Sequence, residues 1–388
     1  MTAQETTSAL PEFSRAEVTL GNWRMRPWSV WAFQHVGEIV PSVHLTGTGV
    51  PEEPAPGLEA LGDPLLPLAA GEGRLPAFLA DIEADSLVVM REGRIVADWA
   101  APHCDPALPH IVFSVTKSVA GILGAMLAVE GRLDYAAPVN RYLPEAAGSA
   151  FGDATVEQLA NMQVSLDFDD AYLDRTGAFD RYRRATLWNP EHGKVPAPDL
   201  RGFLCAMQKG PLPHGAAHAY HSPCTDMFGL VLEAASGRRF ADLLQERLWR
   251  PLALRGPGAM TVDRAGAPRA AAGLSMTARD LARVGEALRL GGAGVIPGHW
   301  IEGLWAGGNS DLWAAGTQSF LFPRGSYRHY WYNSGEGELA GIGIHGQWLW
   351  IDRVSSTVIA LLSSNAEVND QGVEARTIDG LRRLARGG

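Results

Sequence analysis

The sequence predicts an α/β (α+β) protein in which an antiparallel sheet flanked by helices is built from both ends of the chain, with a mainly helical lobe inserted. Three patterns predict this class: paired apolar runs at residues 86–100, a continuously apolar helix after Ser114, and aromatic and β-branched runs between residues 327 and 362. A hairpin before the insert and strands after it favour one sheet that joins both chain ends. The predicted boundaries are residues 1–145 and 226–388 for the α/β domain and 146–225 for the helical lobe.

The N-terminal part of the chain is expected to be extended before it enters the sheet. Residues 1–75 are rich in Pro and Gly and show little periodicity, which is typical of wrapping, irregular structure. The run Ser86–Ala100 (SLVVMREGRIVADWA) then places two apolar stretches around a polar turn. This pattern predicts a β-hairpin.

The most apolar segment of the chain is IVFSVTKSVAGILGAMLAVEGRLD. A strand-like run leads into Ser114, and apolar residues continue for about four helical turns to Gly131, a natural helix stop. Nearly every face of this helix is apolar, so it is predicted to lie buried at the centre of the fold.

The remaining elements follow from periodicity and turn residues. Residues 146–225 are polar, aromatic and rich in turns, and the C-terminal part alternates between apolar runs and turns, which indicates an antiparallel meander. The predicted helices are Thr155–Met162, Asp199–Gln208, Met227–Leu248 and Thr277–Leu290, and the predicted strands are Tyr327–Tyr332, Leu339–His345, Gln347–Ile351 and Thr357–Leu362.

Composition excludes several classes of protein. The formal net charge of −10 argues against a nucleic-acid partner, which would favour a basic surface. The longest apolar run, Val119–Val129, is far shorter than the roughly 18 residues of a membrane span. Cys104, Cys205 and Cys224 are odd in number and form no C-x-x-C pair, and no secretory signal is visible. We therefore expect a cytoplasmic protein without a membrane partner.

Lysine is scarce in this chain. Only Lys117, Lys194 and Lys209 are lysines among 33 basic residues, and the others are arginines. An ammonium group changes its pKa readily when it is buried, whereas a guanidinium is effectively never deprotonated. A lysine retained in an apolar helix is therefore a candidate general base.

Ser114-Val-Thr-Lys117 is an S-x-x-K motif. Residues at i and i+3 share one helix face, about 5–6 Å apart at Cβ. Burial would lower the pKa of Lys117 toward the working pH, and the N–H of Ser114 at the helix start could face an oxyanion. Chance alone would place some serine three positions before a lysine roughly once in seven such chains, so spacing is a weak signal and the buried helix carries the argument.

A second cluster of polar residues lies in HAYHSPCTD. Tyr220-His221-Ser222 could supply a hydroxyl and a polar side chain near the nucleophile, although this segment taken alone favours a tyrosine that only covers a loop. His214, His218, His221 and Cys224 offer zinc ligands as an alternative. Pro213 and Pro223 disfavour a regular helix there, and no H-E-x-x-H accompanies them, so no metal or other cofactor is expected.

The glycine-rich segment GIGIHGQ at residues 341–347 formally matches G-x-G-x-x-G. A dinucleotide site requires a helix to follow the motif, but QWLWIDR predicts another strand. A glycine-rich edge strand instead lets a substrate amide approach the backbone, and its N–H groups could complete an oxyanion hole.

Together, S-V-T-K, Y-H-S and G-I-G-I-H-G-Q resemble the 6-aminohexanoate-dimer hydrolases, a branch of the serine β-lactamase and penicillin-recognising superfamily. The similarity includes WAFQHVGEIVPS, EGRLDYAAPVNRYLPE, DMFGLVLE, TARDLARVG and GIGIHGQWLW. It implies a class C β-lactamase-like fold and an acyl-enzyme on Ser114, with Lys117 taking the serine proton and Tyr220 relaying protons. It also implies a homodimer.

The resemblance further assigns residues around the substrate. The backbone N–H groups of Ser114 and Ile344 would form the oxyanion hole. Tyr172 would contact the scissile nitrogen, Asp180 would grip a substrate ammonium, and Trp331 would line the acyl side. Ser222 and His345 complete the predicted substrate-binding set.

The function predicted from the sequence is hydrolysis of a short linear amide resembling the 6-aminohexanoate dimer. A carboxylesterase acting on short-chain esters is the nearest alternative. A β-lactamase is disfavoured because the third motif lacks the lysine of K-T-G. A catalytically silent ligand-binding relative is the non-enzymatic alternative, and retention of Ser114, Lys117 and Tyr220 argues against it.

Overall fold

A computed structural model describes residues 13–169, 176–192 and 194–387. Tyr172 lies outside the described residues. The strands are β1 Ser42–Leu45, β2 Leu66–Leu68, β3 Gly71–Gly73, β4 Ala84–Arg91, β5 Arg94–Ala100, β6 His110–Ile111, β7 Gly258–Thr261, β8 Leu274–Met276, β9 Ser326–Arg328, β10 Trp331–Asn333, β11 Glu338–Gly343, β12 Gln347–Asp352 and β13 Thr357–Ser363.

The α-helices vary from one turn to more than four. They are α1 Trp28–Ala32, α2 Leu75–Asp81, α3 Val115–Val129, α4 Val156–Ala160, α5 Ala178–Ala185, α6 Leu200–Cys205, α7 Ser222–Ser236, α8 Phe240–Leu243, α9 Ala278–Arg289, α10 Gly298–Ala306, α11 Ser310–Ala315 and α12 Gln371–Arg386. None of them is long and apolar enough to cross a membrane.

A seven-stranded antiparallel sheet joins the two ends of the chain in the order β5-β4-β13-β12-β11-β10-β9. The N-terminal hairpin β4–β5 enters this sheet through β13, where Val89 is paired with Ile359. Nearly every residue of β4, β11, β12 and β13 is buried, so apolar side chains on both faces of these strands stabilise the sheet. The predicted α/β class with a shared antiparallel sheet is confirmed.

The predicted strand Tyr327–Tyr332 is wrong as one element. It is a hairpin, β9–β10, whose turn residues His329 and Tyr330 have φ of 47° and 68°. Positive φ ends the extended backbone, and aromatic composition alone did not reveal the reversal.

A second antiparallel sheet, with the order β1-β7-β8-β6, was not predicted from the sequence. Its strands are two to four residues long. An apolar run that short has no measurable alternation. The following helix α9 was predicted with its cap, and the side chain of Thr277 accepts a hydrogen bond from the N–H of Asp280.

Helix α3 lies at the centre of the molecule. All residues from Val115 to Leu127 are buried, and the helix packs against α7 and β11. An apolar helix with no polar face can only be stable when other elements surround it. The core therefore holds Ser114 and Lys117 on a fixed scaffold.

Residues 146–225 contribute α4, α5, α6 and the start of α7, and no strand of the seven-stranded sheet comes from their described part. The division into an α/β domain and an inserted lobe stays a prediction, and α7 crosses the proposed boundary. The predicted helix Met227–Leu248 is wrong: α7 ends at Gly237, whose φ of 68° reverses the backbone, and α8 begins at Phe240.

Candidate active site

Ser114 and Lys117 meet at the start of the buried helix α3. Lys117 Nζ donates to Ser114 Oγ at 2.8 Å and to the carbonyl oxygen of Ala271 at 2.7 Å. Lys117 is 1% exposed and Ser114 is 7% exposed. The N–H of Ala271 in turn donates to Asp226 of α7 at 2.7 Å. The amine is thus held in contact with the serine hydroxyl, within reach of its proton.

The residue before Ser114 is strained. Phe113 has φ of 41°, in the left-handed region that a bulky side chain rarely adopts. Its ring packs against Phe33 at 4.9 Å and His345 at 5.3 Å between ring centroids. This aromatic packing, supplied partly by the N-terminal segment, holds the turn that presents Ser114.

Two backbone N–H groups beside the serine are available for an oxyanion. Within the described parts of the chain, neither Ser114 N nor Ile344 N donates a hydrogen bond to a protein group. Ile344 follows β11, and the neighbouring strand β10 pairs only with Leu339 and Ala340. The prediction of an edge strand is therefore wrong for the first half of β11, which lies between β12 and β10. It describes the second half, since among the described residues no strand pairs with Gly341–Gly343 on the side of β10.

Gly343 permits the close approach of β11 to the nucleophile. A Cβ at this position would lie 2.7 Å from the carbonyl oxygen of Val112 and 3.1 Å from Ser114 N. We expect Gly343→Ala to lower the melting temperature, because such overpacking costs about 1–3 kcal/mol. It should also reduce kcat by about tenfold or more, since the oxyanion donors are displaced.

Thermal unfolding and ester hydrolysis check this expectation. Gly148→Ala is the control, since a Cβ there meets no atom within 4 Å and should leave both quantities near wild type. Equal stability and kcat in Gly343→Ala and Gly148→Ala would contradict the close approach.

A cavity of about 460 Å³ opens beside Ser114. Tyr220 lies in its wall, and Lys117 Nζ is 5.0 Å from the centroid of the Tyr220 ring. The Tyr220 phenol, close to Lys117 in the same wall, is therefore a candidate for carrying a proton to a leaving group. The cavity is lined by Ser114, Phe168, Asp169, His218, Ala219, Tyr220, His221, Thr317, Gln318, Leu321, Tyr332, Ile342, Gly343, Ile344, Asn369 and Glu374.

The sequence profile of the β-lactamase family matches residues 74–382, which include Ser114, Lys117, Tyr220 and Ile344. This chain belongs to the β-lactamase family. A 6-aminohexanoate-dimer hydrolase of Paenarthrobacter ureafaciens is 34% identical to it over 365 residues, 91% of this chain and 90% of the relative. The predicted resemblance is thereby confirmed, and the protein is a hydrolase of this family.

Solved structures of the β-lactamase family share the fold. A Bacillus anthracis protein assigned as a 6-aminohexanoate-dimer hydrolase superposes with a TM-score of 0.87 at 23% identity, covering 97% of this chain and 98% of that one. A D-stereospecific amidohydrolase from Streptomyces superposes with a TM-score of 0.55 at 20% identity, covering 78% and 97%. At these identities the likeness shows the architecture alone.

In this member of the β-lactamase family, the acid predicted to grip an ammonium does not fit that role. Asp180 is 2% exposed, and its carboxylate accepts hydrogen bonds from Arg184, Asn189 and His192 at 2.8–2.9 Å. These donors lower the pKa of Asp180 although its burial raises it. Because its oxygens are already bonded, Asp180 serves as a buried anchor of α5.

Two other carboxyl groups, missed in the sequence, line the cavity. They are Asp169, the last residue of the described range 13–169, and Glu374, in the first turn of α12. Burial, together with the nearby Asp370, raises the pKa of Glu374 to about 7. No sequence pattern indicates that Glu374 lies near Ser114, because the two are more than 250 residues apart in the sequence.

Trp331 and His345, which were predicted to contact the substrate, are buried and do not line the cavity. Trp331 is 1% exposed, and its indole N–H donates to the carbonyl oxygen of Ser118, so Tyr332 lies in the cavity wall in its place. His345 is 1% exposed with Nδ1 bonded to the carbonyl oxygen of Asn365, and burial lowers its pKa to about 4. Ser222, at the start of α7, lines a second cavity with Ser114, and its predicted substrate contact stays a prediction.

The histidines considered as zinc ligands have separate partners. His214 is bonded to Asp153, and His218 Nδ1 lies 3.3 Å from the carbonyl oxygen of Asn161. Across residues 13–169, 176–192 and 194–387, no three His, Cys, Asp or Glu side chains converge on one point.

Proposed function

We propose that this hydrolase cleaves a short linear amide, resembling the 6-aminohexanoate dimer, through an acyl-enzyme on Ser114. The observation that carries the proposal is the 2.8 Å contact between Lys117 Nζ and Ser114 Oγ, with the lysine buried and the serine at the wall of the cavity. The substrate named for the 34% identical relative supports the choice of amide.

The geometry supports a sequence of balanced steps. As Ser114 Oγ forms a bond to the substrate carbonyl carbon, its proton passes to the neutral amine of Lys117. The resulting oxyanion accepts hydrogen bonds from Ser114 N and Ile344 N. The C–N bond then breaks, and the amine leaves with a proton delivered by way of Tyr220. Water then hydrolyses the ester on Ser114 and the carboxylic acid product leaves. The Ser114 hydroxyl and the Lys117 amine are thereby returned to their initial states.

The charge of the cavity wall supports a cationic group in the substrate. Asp169 and Glu374 are carboxyl groups on the surface of the 460 Å³ cavity that holds Ser114. His218 lies in the same wall, and burial lowers its pKa to about 4, so it is neutral at pH 7. A terminal ammonium on the substrate would complement the negative charge of the carboxyl groups in this wall.

The KM for a substrate with a terminal ammonium should fall as the pH rises from 6 to 8. Because the pKa of Glu374 is about 7, its carboxyl is mainly neutral at pH 6 and mainly ionised at pH 8, when it attracts the cation. The expected fall is about three- to tenfold, the size of a partly solvated ion pair. Steady-state kinetics across this pH range measure it.

Glu374→Gln should remove this pH dependence of KM. Glu302→Gln, an exposed carboxyl on α10, is the matched control and should retain it. A KM that changes equally with pH in both variants would contradict the role of Glu374.

The function is tested with a panel of substrates. The 6-aminohexanoate dimer and a chromogenic short-chain ester should be hydrolysed, and a fluorophosphonate should label Ser114. No turnover and no adduct would refute the proposal. Loss of activity with a chelator would instead restore the zinc alternative.

A carboxylesterase is the second candidate, because the same acyl-enzyme forms more easily from an ester than from an amide. A higher kcat/KM for every ester than for any linear amide would favour it. A chromogenic β-lactam should not be turned over, since the segment 341–347 lacks a lysine to meet its carboxylate.

Location and assembly are also proposals. Three cysteines that form no disulfide support a reducing, cytoplasmic compartment. A homodimer is proposed from the resemblance and is tested by light scattering of the purified protein.

A further inference from the structure

A backbone carbonyl group helps to set the direction in which the amine of Lys117 points. Lys117 Nζ lies 2.7 Å from the carbonyl oxygen of Ala271 and 2.8 Å from Ser114 Oγ. A neutral amine has two N–H groups and one lone pair, and a carbonyl oxygen can only accept a hydrogen bond. Ala271 therefore always takes an N–H group, which leaves the lone pair to face the hydroxyl of Ser114.

Ala271 belongs to a turn, residues 269–273, that precedes β8. The N–H groups of Ala272 and Gly273 donate to the carbonyl oxygen of Arg269 at 3.0 and 2.7 Å. These bonds close the turn but do not involve Ala271, so the orientation of its carbonyl group depends on contacts outside the turn. The N–H of Ala271 makes such a contact, a 2.7 Å hydrogen bond to Asp226 Oδ1 in α7.

The carboxylate of Asp226 is itself fixed in place. Asp226 is completely buried, and its other oxygen accepts hydrogen bonds from the Tyr182 hydroxyl and the Arg269 guanidinium. Burial raises the pKa of Tyr182 well above its usual value, so the phenol keeps the proton that it donates. A buried carboxylate with three donors cannot rotate without breaking these bonds. Asp226 is thus a rigid acceptor for the N–H of Ala271.

Helix α7 approaches the same turn closely at a second position. A Cβ on Gly229 would lie 2.6 Å from the Cβ of Ala270. Asp226 and Gly229 are three residues apart and therefore share one face of α7. The helix begins two residues after Tyr220, the candidate proton relay. One helix thereby supports both Tyr220 and the turn that carries Ala271.

We propose that Asp226 is a positioning residue for the general base. Through the N–H of Ala271 it fixes the carbonyl oxygen that turns the lone pair of the Lys117 amine toward Ser114. The inference rests on the proposed function, in which Lys117 takes the serine proton, and deepens it. Asp226 lines neither of the two cavities that contain Ser114, so it acts without touching the substrate.

The experiment measures the rate of fluorophosphonate labelling of Ser114 as a function of pH. Asp226→Ala should lower the plateau at high pH by about 100-fold, the usual cost of misplacing a reacting group by about 1 Å. Asp226→Asn keeps an oxygen that can accept from the N–H of Ala271, so its plateau should lie within about tenfold of the wild type. With a chromogenic ester, kcat should fall in parallel and KM should change by less than about twofold.

Asp263→Ala is the matched control for stability. Asp263 is 3% exposed, lies in the same connection between β7 and β8, and accepts hydrogen bonds from the N–H groups of Leu200, Ala265 and Ala267 at 2.7–2.8 Å. Its loss should lower the melting temperature but leave the labelling plateau near that of the wild type.

If Asp226→Ala does not fold, Asp226→Ala combined with Arg269→Met removes both buried charges, and the same fall in the plateau is expected. An equal fall in Asp226→Ala and Asp263→Ala would overturn the positioning role. So would a profile that moves along the pH axis in Asp226→Asn at an unchanged plateau, because Asp226 would then act on Lys117 by its charge. Labelling of the wild type that no Asp226 variant alters would overturn the positioning role alone, whereas an unlabelled wild type would overturn the proposed function.

Discussion

Ser114→Ala is expected to reduce kcat for a chromogenic ester by at least about 10⁴-fold, since loss of a catalytic nucleophile removes the covalent route. The residual rate would come from the oxyanion donors and from substrate binding. The free energy of unfolding should fall by about 1 kcal/mol, because Lys117 Nζ loses its hydrogen bond to Ser114 Oγ but keeps the one to the carbonyl oxygen of Ala271. Steady-state kinetics and fluorophosphonate labelling followed by mass spectrometry measure the activity, and chemical unfolding measures the stability.

Ser118→Ala is the matched control for this prediction. Ser118 lies one turn further along α3 and donates to the carbonyl oxygen of Tyr330 at 2.8 Å. Its loss should lower the free energy of unfolding by about 1 kcal/mol while labelling persists. Activity of Ser114→Ala within tenfold of wild type would reject the nucleophile.

Lys117→Met should lower kcat by about 10²- to 10⁴-fold, the usual contribution of a general base. Methionine fills the space of the lysine stem but cannot take the serine proton. Lys117→Arg should be equally slow, because a guanidinium keeps the positive charge but is not deprotonated in proteins. Lys117→Arg thus distinguishes a role of Lys117 as a general base from a role as a positive charge. Rates of fluorophosphonate labelling report the acylation step directly.

The other lysines supply the comparison. Lys209 is paired with Asp153 at the surface at 2.7 Å, and Lys209→Met should retain wild-type kcat. Recovery of more than a tenth of the activity in Lys117→Arg would mean that Lys117 acts by its charge and not as a base.

Much of the site could be predicted where chemistry depends on local spacing. Ser114 and Lys117 share a helix turn, and the apolar residues around them predicted their burial. The meander of C-terminal strands also followed from aromatic and β-branched runs separated by turn residues. Each of these patterns is local in the sequence, so one sequence suffices to find them.

The rest depends on contacts between distant segments. Glu374 reaches the cavity beside Ser114 from the C-terminal helix α12, and no local pattern around it indicates its neighbours. Asp180 illustrates the converse: Arg184 stands four residues later on the same helix, and that spacing could have signalled an internal ion pair. The second sheet was missed because strands of two to four residues lie below the length at which periodicity is measurable.

The burial of Lys117 has a consequence for preparing the enzyme on a solid support. Amine-reactive coupling requires an exposed lysine that reacts as its deprotonated amine, and Lys117 is only 1% exposed. Lys194 is exposed, and the side chain of Lys209 is 41% exposed. Lysine-directed immobilisation would therefore attach the protein through residues 194 and 209, both between residues 146 and 225, and would leave the Lys117 amine unmodified.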